Sequence, residues 1–538
     1  MKLRLTKAGR VVIFVLVVAI LGTAGFFGYQ YLSERNPEWF EPSKAESSNT
    51  PSTSTAAPSP SAPVSQDQAQ TPVPTQSVHT GNEDATINLS LDEWIGWKPI
   101  IDANGGLTTQ AGSIFDELGI KVNINIINDA DSSSNALIKG DLNAAGYTTN
   151  RVAFLSGKFK EAGLDVVMPV FTNYSDGGDG IIALNGINSI EDLAGAKVGV
   201  PKFSEAQTLV IWFVNKSDLP DTTKQEIISN MILMDDAEAT GQAFFAGKLD
   251  VAATWQPFLS NAADSTNSHI LFSTASSNKL IMDGIVFRSD FAEAHSDVVS
   301  AFIDGIFKAA DTMYTTEFDY IRSVMPMFAD ASDEDILSQC GDAGMMGYAE
   351  NVSALENDCP VVYSDMCDIW ESIGETVDRN LGATLFDTSY VKALSDHYTQ
   401  TSTKAVSEIT QEQRDIAKET EALLSKSATV NFVADTAKFL DTAEADAILH
   451  EFVEIANTLD GTIIQIEGNI NAVNSTEVGV KLSEERAKTV KNYLVANGID
   501  ANRIIVVGNG NSNMVTDPNG PDAERNRRTD VFFKTIEN

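Results

Sequence analysis

Gly247-Lys248-Leu249-Asp250-Val251-Ala252-Ala253-Thr254-Trp255-Gln256-Pro257-Phe258 is the stretch on which the reading of this chain turns. The apolar run Ala243-Phe244-Phe245-Ala246 ahead of it predicts a helix, and Gly247 stands where a left-handed exit is needed. Residues 249–254 read as a short buried strand. Trp255 and Pro257 follow at its carboxyl end, the end where open α/β sheets bind ligands. The same plan occurs earlier in Ile138-Lys139-Gly140-Asp141-Leu142-Asn143-Ala144-Ala145-Gly146-Tyr147-Thr148-Thr149. Two such units predict two similar α/β lobes, each aiming a strand end at a shared crevice.

Outward from these units, strands are expected at 87–91, 122–127, 166–171, 180–183, 197–200, 232–234 and 281–287, alternating with helical patterns such as 106–118. That alternation argues for parallel sheets. Lobe 1 is expected to comprise residues 86–183 and 274–400, and lobe 2 residues 184–273. Residues 401–426 read as a connecting helix. Beyond them, strands at 428–432, 462–468, 503–507 and 530–534 and helices at 441–459 and 481–497 predict a separate α/β sandwich over 427–538.

The amino-terminal end differs in kind. Lys2, Arg4, Lys7 and Arg10 precede an uncharged apolar run long enough to span a bilayer, which takes about 20 residues. Residues 1–33 are therefore expected to form a single-pass transmembrane anchor with a cytoplasmic amino terminus and an extracytoplasmic bulk. A cleaved signal peptide is the alternative. Residues 34–85, rich in Ser, Thr and Pro, hold too little apolar surface to fold and read as a disordered tether.

The formal net charge of −38, from 75 acidic and 37 basic residues, argues against a nucleic-acid partner. Cys340, Cys359 and Cys367 fit no zinc spacing, and allow one disulfide or none. Five scattered histidines, no nucleophile elbow and no glycine-rich phosphate loop give no basis for catalysis or for a cofactor or metal.

Residues 86–400 resemble the type 2 periplasmic substrate-binding proteins of ABC importers, in the nitrate/sulfonate/taurine-binding branch. The resemblance rests on the two glycine-marked units, Trp94-Ile95-Gly96-Trp97-Lys98-Pro99, Gly177-Gly178-Asp179-Gly180-Ile181, and Ile187-Asn188-Ser189-Ile190-Glu191-Asp192-Leu193-Ala194-Gly195-Ala196-Lys197-Val198-Gly199-Val200-Pro201. Residues 427–538 resemble the OmpA-like peptidoglycan-binding domain through Leu482-Ser483-Glu484-Glu485-Arg486-Ala487, Gly508-Asn509-Gly510 and Asn526-Arg527-Arg528. The resemblances imply a two-lobed type 2 binding-protein fold plus an α/β sandwich. They also imply a small-molecule solute, an ABC permease as partner, and contact with peptidoglycan. An envelope sensor or scaffold without transport is the alternative.

Candidate ligand-binding residues follow from position. Trp94, Trp97 and Trp255 offer aromatic faces or simply pack a lobe. Thr148 and Thr149 supply hydroxyls at the opposite strand tip. Ser204 and Gln207 open a helix whose free N–H groups suit an anion, while the pattern Ser204-Glu205-Ala206-Gln207 is equally a capping box. Asp179 and Asp283, at the expected crossovers, meet a ligand amine or brace the hinge. Such an acidic cleft suits a zwitterion or an amine better than bare nitrate.

In the OmpA-like family an Asp and an Arg clamp the diaminopimelate end of the peptide stem. Here Arg486 matches the Arg, Asn471 stands at the Asp position, and Gly479 replaces an expected Asn. The resemblance thus implies a weakened wall-binding site at Asn471, Arg486 and Arg527.

Overall fold

The computed structural model describes residues 85–277, 279–398, 409–471 and 476–535. The expected membrane anchor, and the tether up to residue 84, lie outside the described residues. Among the described residues no helix is long and apolar enough to cross a membrane.

Lobe 1 opens with β1 (Thr86–Leu91), β2 (Lys121–Ile126), β3 (Ala144–Thr148) and β4 (Val166–Ser175). The chain then crosses into lobe 2, built from β5 (Asp179–Leu184), β6 (Val198–Pro201), β7 (Ile232–Met234), β8 (Val251–Trp255) and β9 (Ser268–Ser273). It returns after Ser277 to β10 (Met282–Arg288) and β11 (Ala343–Met345). The sheet orders are β11-β4-β10-β3-β1-β2 and β7-β6-β8-β5-β9. Parallel pairing of β1 with β2 and β3, and of β6 with β7 and β8, follows from the intervening helices. The strands that cross between lobes pair antiparallel.

The repeated sequence phrase occupies equivalent places in the two sheets. Asp129 caps the helix Ala130–Lys139 and Asp236 caps the helix Ala237–Phe245. Gly140 (φ 81°) and Gly247 (φ 71°) then turn the chain with the left-handed geometry that a Cβ disfavours. Leu142 and Leu249 are buried next to them, and β3 and β8 follow.

Four expectations need correction. The strand expected at 180–183 in lobe 1 is β5, in the middle of the lobe 2 sheet between β8 and β9, because the crossover comes earlier, at Asp176-Gly177-Gly178. Of the helix expected at 106–118 only Ile114–Glu117 is helical, and a separate helix, Lys98–Asn104, precedes that range. Pro99 starts that preceding helix right after Trp97, since proline suits a helix start, and Gly105 ends it. The helix expected through 401–426 is seen only as Gln411–Glu419, capped by Thr410 and Gln413, with residues 401–408 outside the described set. The strand expected at 428–432 is β12 (Leu424–Ala428), and Phe432 makes only an isolated bridge to Phe439.

The carboxyl-terminal sheet adds β13 (Ile463–Asn469), β14 (Ile504–Gly510) and β15 (Thr529–Lys534) in the order β12-β15-β13-β14. The helices Thr442–Thr458 and Glu477–Ala496 pack on it through Leu449, Phe452, Ile455, Ala487, Val490 and Leu494. Arg503 is buried in this domain and donates to the carbonyls of Ala456, Leu459 and Thr462 at 2.6–2.9 Å. Cys340, Cys359 and Cys367 are buried and unpaired.

Candidate functional site

Sheet register sets the interlobe crevice. In lobe 1, Asp283 on β10 lies across from Thr148 on β3 and from Asn173 on β4. In lobe 2, Asp179 on β5 lies across from Trp255 on β8. Each lobe thus brings a carboxylate to its crossover edge beside a strand tip.

The lobes meet here. Thr148 caps the helix Thr149–Ala162, accepting from the Arg151 amide at 2.9 Å, and donates its hydroxyl to Glu205 Oε1 at 2.9 Å. Arg151 donates to Glu205 Oε2 at 3.1 Å and to the Phe203 carbonyl at 2.8 Å. Asn150 Nδ2 donates to Thr208 Oγ1 at 2.7 Å. The two helices that begin at Thr149 and Glu205 therefore face each other across a closed seam.

Four carboxylates converge beside that seam: Asp92, which directly follows β1, with Asp179, Glu205 and Asp283. Asp92 is exposed at the carboxyl end of β1. It accepts from the Trp97 indole at 2.6 Å. Asp179 accepts from the Ser175 hydroxyl at 2.8 Å. Burial, reinforced by the charges of Glu205 and Asp342, pushes the Asp179 carboxyl up to about 7. Asp283 rises well above the usual carboxylate range through burial and then through Asp92, Glu205 and Asp179. Asp92 is raised by burial and, more weakly, by Glu205, against its bond to Trp97. A cation entering beside these carboxyls would favour their ionised forms, which desolvation and neighbouring acids disfavour. Among the described residues no group of three or more His, Cys, Asp or Glu is placed to hold a metal ion.

The aromatic candidates part ways. Trp255 is 48% exposed at its strand tip, so its face is free to cover a ligand. Trp94 is half-buried and donates to Asn173 Oδ1 at 2.9 Å. Trp97 is 1% exposed and packs in the lobe 1 core against Gly146, so the ligand face expected of it is not there. Ser204 accepts from the Gln207 amide at 3.2 Å and donates to the Pro201 carbonyl at 2.7 Å. Gln207 is buried and accepts from the Phe203 amide at 2.7 Å. Both serve the cap rather than an open anion site. Thr149 is fully buried, and its hydroxyl has no hydrogen-bond partner.

Asp92, Glu205 and Arg151 escaped the sequence reading. Signals existed: Asp92 ends a strand as Thr148 does, Glu205 sits inside the capping box, and Arg151 is one helical turn beyond Thr148.

The carboxyl-terminal domain has a second, basic cleft of about 10 Å³, lined by Val430, Phe432, Asn469, Arg486, Arg527 and Arg528 among others. Arg486 donates to the Thr436 carbonyl at 3.0 Å and lies 4.9 Å from the Phe432 ring centre. Burial and the neighbouring Arg527 lower its pKa. Asn471 does not line this cleft. Its amide donates to the Pro518 carbonyl at 3.2 Å and accepts from Asn526 at 3.1 Å. Gly479 instead sits in the first turn of the helix Glu477–Ala496, its amide on the Thr476 cap.

Two separate parts of the chain match known families. Residues 105–316 match the NMT1/THI5 like family, and residues 431–528 match the OmpA family. Outer membrane protein A of Bordetella avium is 35% identical over 109 residues, which are 19% of this chain. The chain spans 56% of the length of that relative. The periplasmic aliphatic sulphonate binding protein SsuA from Escherichia coli is a structural neighbour at 14% identity and TM-score 0.43, covering 57% of this chain and 98% of its own. The periplasmic nitrate-binding protein NrtA from Synechocystis PCC 6803 is another, at 10% identity and TM-score 0.42, covering 58% of this chain and 89% of its own.

Proposed function

We propose that this chain is a membrane-tethered extracytoplasmic receptor that closes two lobes on a small amine-bearing solute and presents it to an ABC permease. Its carboxyl-terminal domain contacts peptidoglycan. The observation that carries the ligand class is the convergence of Asp92, Asp179, Glu205 and Asp283 on one crevice, with Arg151 the cation paired to Glu205. An ammonium group entering there relieves carboxylate repulsion, and the exposed Trp255 face covers the alkyl part or the cation itself. A nitrate or a simple sulfonate would add a like charge to the same walls.

Hinge closure about the two crossovers is the motion that would trap the solute. The candidate binding residues are Asp92, Trp94, Thr148, Asp179, Glu205, Trp255 and Asp283. In the carboxyl-terminal domain, Arg486 and Arg527 are the groups for wall contact, acting without the carboxylate that Asn471 replaces.

Calorimetry on the protein with primary amines, quaternary ammonium compounds, amino-sulfonates, alkane sulfonates and nitrate tests the reading. Binding confined to ammonium-bearing compounds is expected. Nitrate or alkane-sulfonate binding with no response to amines would overturn it. A sensor without a transport role is the second reading. It draws on the direct bonding of the carboxyl-terminal domain to the return crossover.

A further inference from the structure

Residues 274–277 begin the return from lobe 2 to lobe 1, so their conformation bears on how the lobes sit. Their first residue is tied into the site. The Thr274 hydroxyl bonds the Asp179 carbonyl at 3.0 Å, the Gly177 amide at 3.0 Å and the Ser175 hydroxyl at 2.9 Å. The Ser277 amide in turn donates to the Thr274 carbonyl at 2.9 Å.

The same segment is held from outside. The Gly461 amide donates to the Ser276 carbonyl at 3.0 Å, and the Ser277 hydroxyl donates to the Thr458 carbonyl at 2.5 Å. A Cβ on Gly461 would stand 2.8 Å from Ser276 Cα and 3.0 Å from the Ala275 carbonyl oxygen. The backbone of Gly461 is not in the left-handed region, so close approach to the crossover is the reason for glycine here.

Further contacts of the domain run to lobe 2. The Ile190 amide donates to the Leu423 carbonyl at 3.1 Å, and the Ser425 amide to Glu191 Oε1 at 3.4 Å. Lys426 lies 3.9 Å from Asp218 Oδ1. Between these contacts and the carboxyl-terminal sheet the junction stays open as a cavity of about 360 Å³, lined in part by Glu191, Gln465, Glu467 and Lys534.

We infer that the carboxyl-terminal domain clamps the return crossover in its closed-lobe setting, so that solute occupancy and the seating of this domain are coupled. The inference rests on the proposed reading that the lobes open and close. It assigns the OmpA-like domain a role in the site's equilibrium besides any contact with the wall. A hydrogen-bonded path runs from Asp179 through Thr274 and Ser277 to Thr458, and Gly461 sits flush against it. Coupling of this kind is reciprocal: what loosens the clamp opens the lobes, and what closes the lobes seats the clamp.

Spin labels at Lys121→Cys on lobe 1 and Lys248→Cys on lobe 2, both exposed, report the lobe-to-lobe distance in the full chain by pulsed electron resonance. The three native thiols are buried. Gly461→Val is expected to raise the open-to-closed ratio roughly fivefold or more. Ser277→Ala, which removes one bond without adding bulk, is expected to shift it the same way by less. Distance distributions for both variants that superimpose on the parent would overturn the clamp. The measurement needs no solute, so it stands apart from the fate of the amine reading.

Discussion

The molecule holds two clefts of opposite sign. The interlobe crevice gathers Asp92, Asp179 and Asp283 around the Arg151–Glu205 pair, and these three aspartates hold their protons more tightly than free ones. The carboxyl-terminal cleft sets Arg486 beside Arg527, and it lowers the affinity of Arg486 for its proton. In each, desolvation and neighbouring like charges disfavour the charged form, and a ligand of opposite charge would favour it. Arg503 shows the contrast within one domain: three carbonyls saturate its guanidinium, so its charge belongs to the fold. Arg486 has one such acceptor, the Thr436 carbonyl, and so keeps donors free for a ligand.

The largest expected effect comes from removing two of the crevice acids. Asp179→Asn with Asp283→Asn should weaken amine binding roughly 100-fold or more by calorimetry, since buried charge pairs are worth several kcal/mol when one partner is lost. The same pair should raise the melting temperature of the solute-free protein at neutral pH. A fall in both would break the comparison, because the carboxylates would then be structural.

Next is Arg486→Ala. Cosedimentation with purified peptidoglycan should fall roughly tenfold, as a charge-assisted bond is worth about 1.5–3 kcal/mol, with solute binding unchanged. No pelleting of the parent above control would leave the basic cleft as a protein-contact surface.

A pH series sharpens the contrast further. Asp179 titrates at about 7 in the folded chain, against roughly 3.9 unfolded. The folded state therefore holds the extra proton between those values. The stability this group contributes is present below the unfolded value and is lost as pH rises through the folded one. Amine affinity runs the other way, rising roughly tenfold between about pH 6 and pH 8 as the carboxylate ionises. A flat profile would mean that Asp179 does not meet the ligand.

The smallest effect is Trp255→Ala, expected to weaken amine binding by roughly five- to tenfold, the worth of one cation–π contact. Its half-exposed ring predicts almost no change in melting temperature. Trp97→Phe would act oppositely, costing stability through the lost Asp92 bond and core contact.

Much of the architecture was legible in local pattern. The glycine exits at Gly140 and Gly247, the alternation of helix and strand, and the helix signals of the carboxyl-terminal domain each depend on neighbours within a few residues. Crossover positions were less legible: β5 reads as a buried strand wherever it sits, and nothing in its composition says which sheet it joins. Thr148 and Trp255 were expected from strand ends, and Asp179 and Asp283 from the crossovers. Asp92, Glu205 and Arg151 were not, because their meeting depends on segments more than fifty residues apart folding face to face.

By itself the sequence determined an acidic chain with two strand-tip units, two α/β lobes and a distinct carboxyl-terminal sandwich, because helix and strand periodicity and turn chemistry act over short range. Only the tertiary structure decided which acids stand beside one another, that Trp97 belongs to the core while Trp255 faces solvent, and that Gly461 abuts the return crossover. Those outcomes depend on distance and burial between remote segments, which set the local dielectric and the identity of each neighbour.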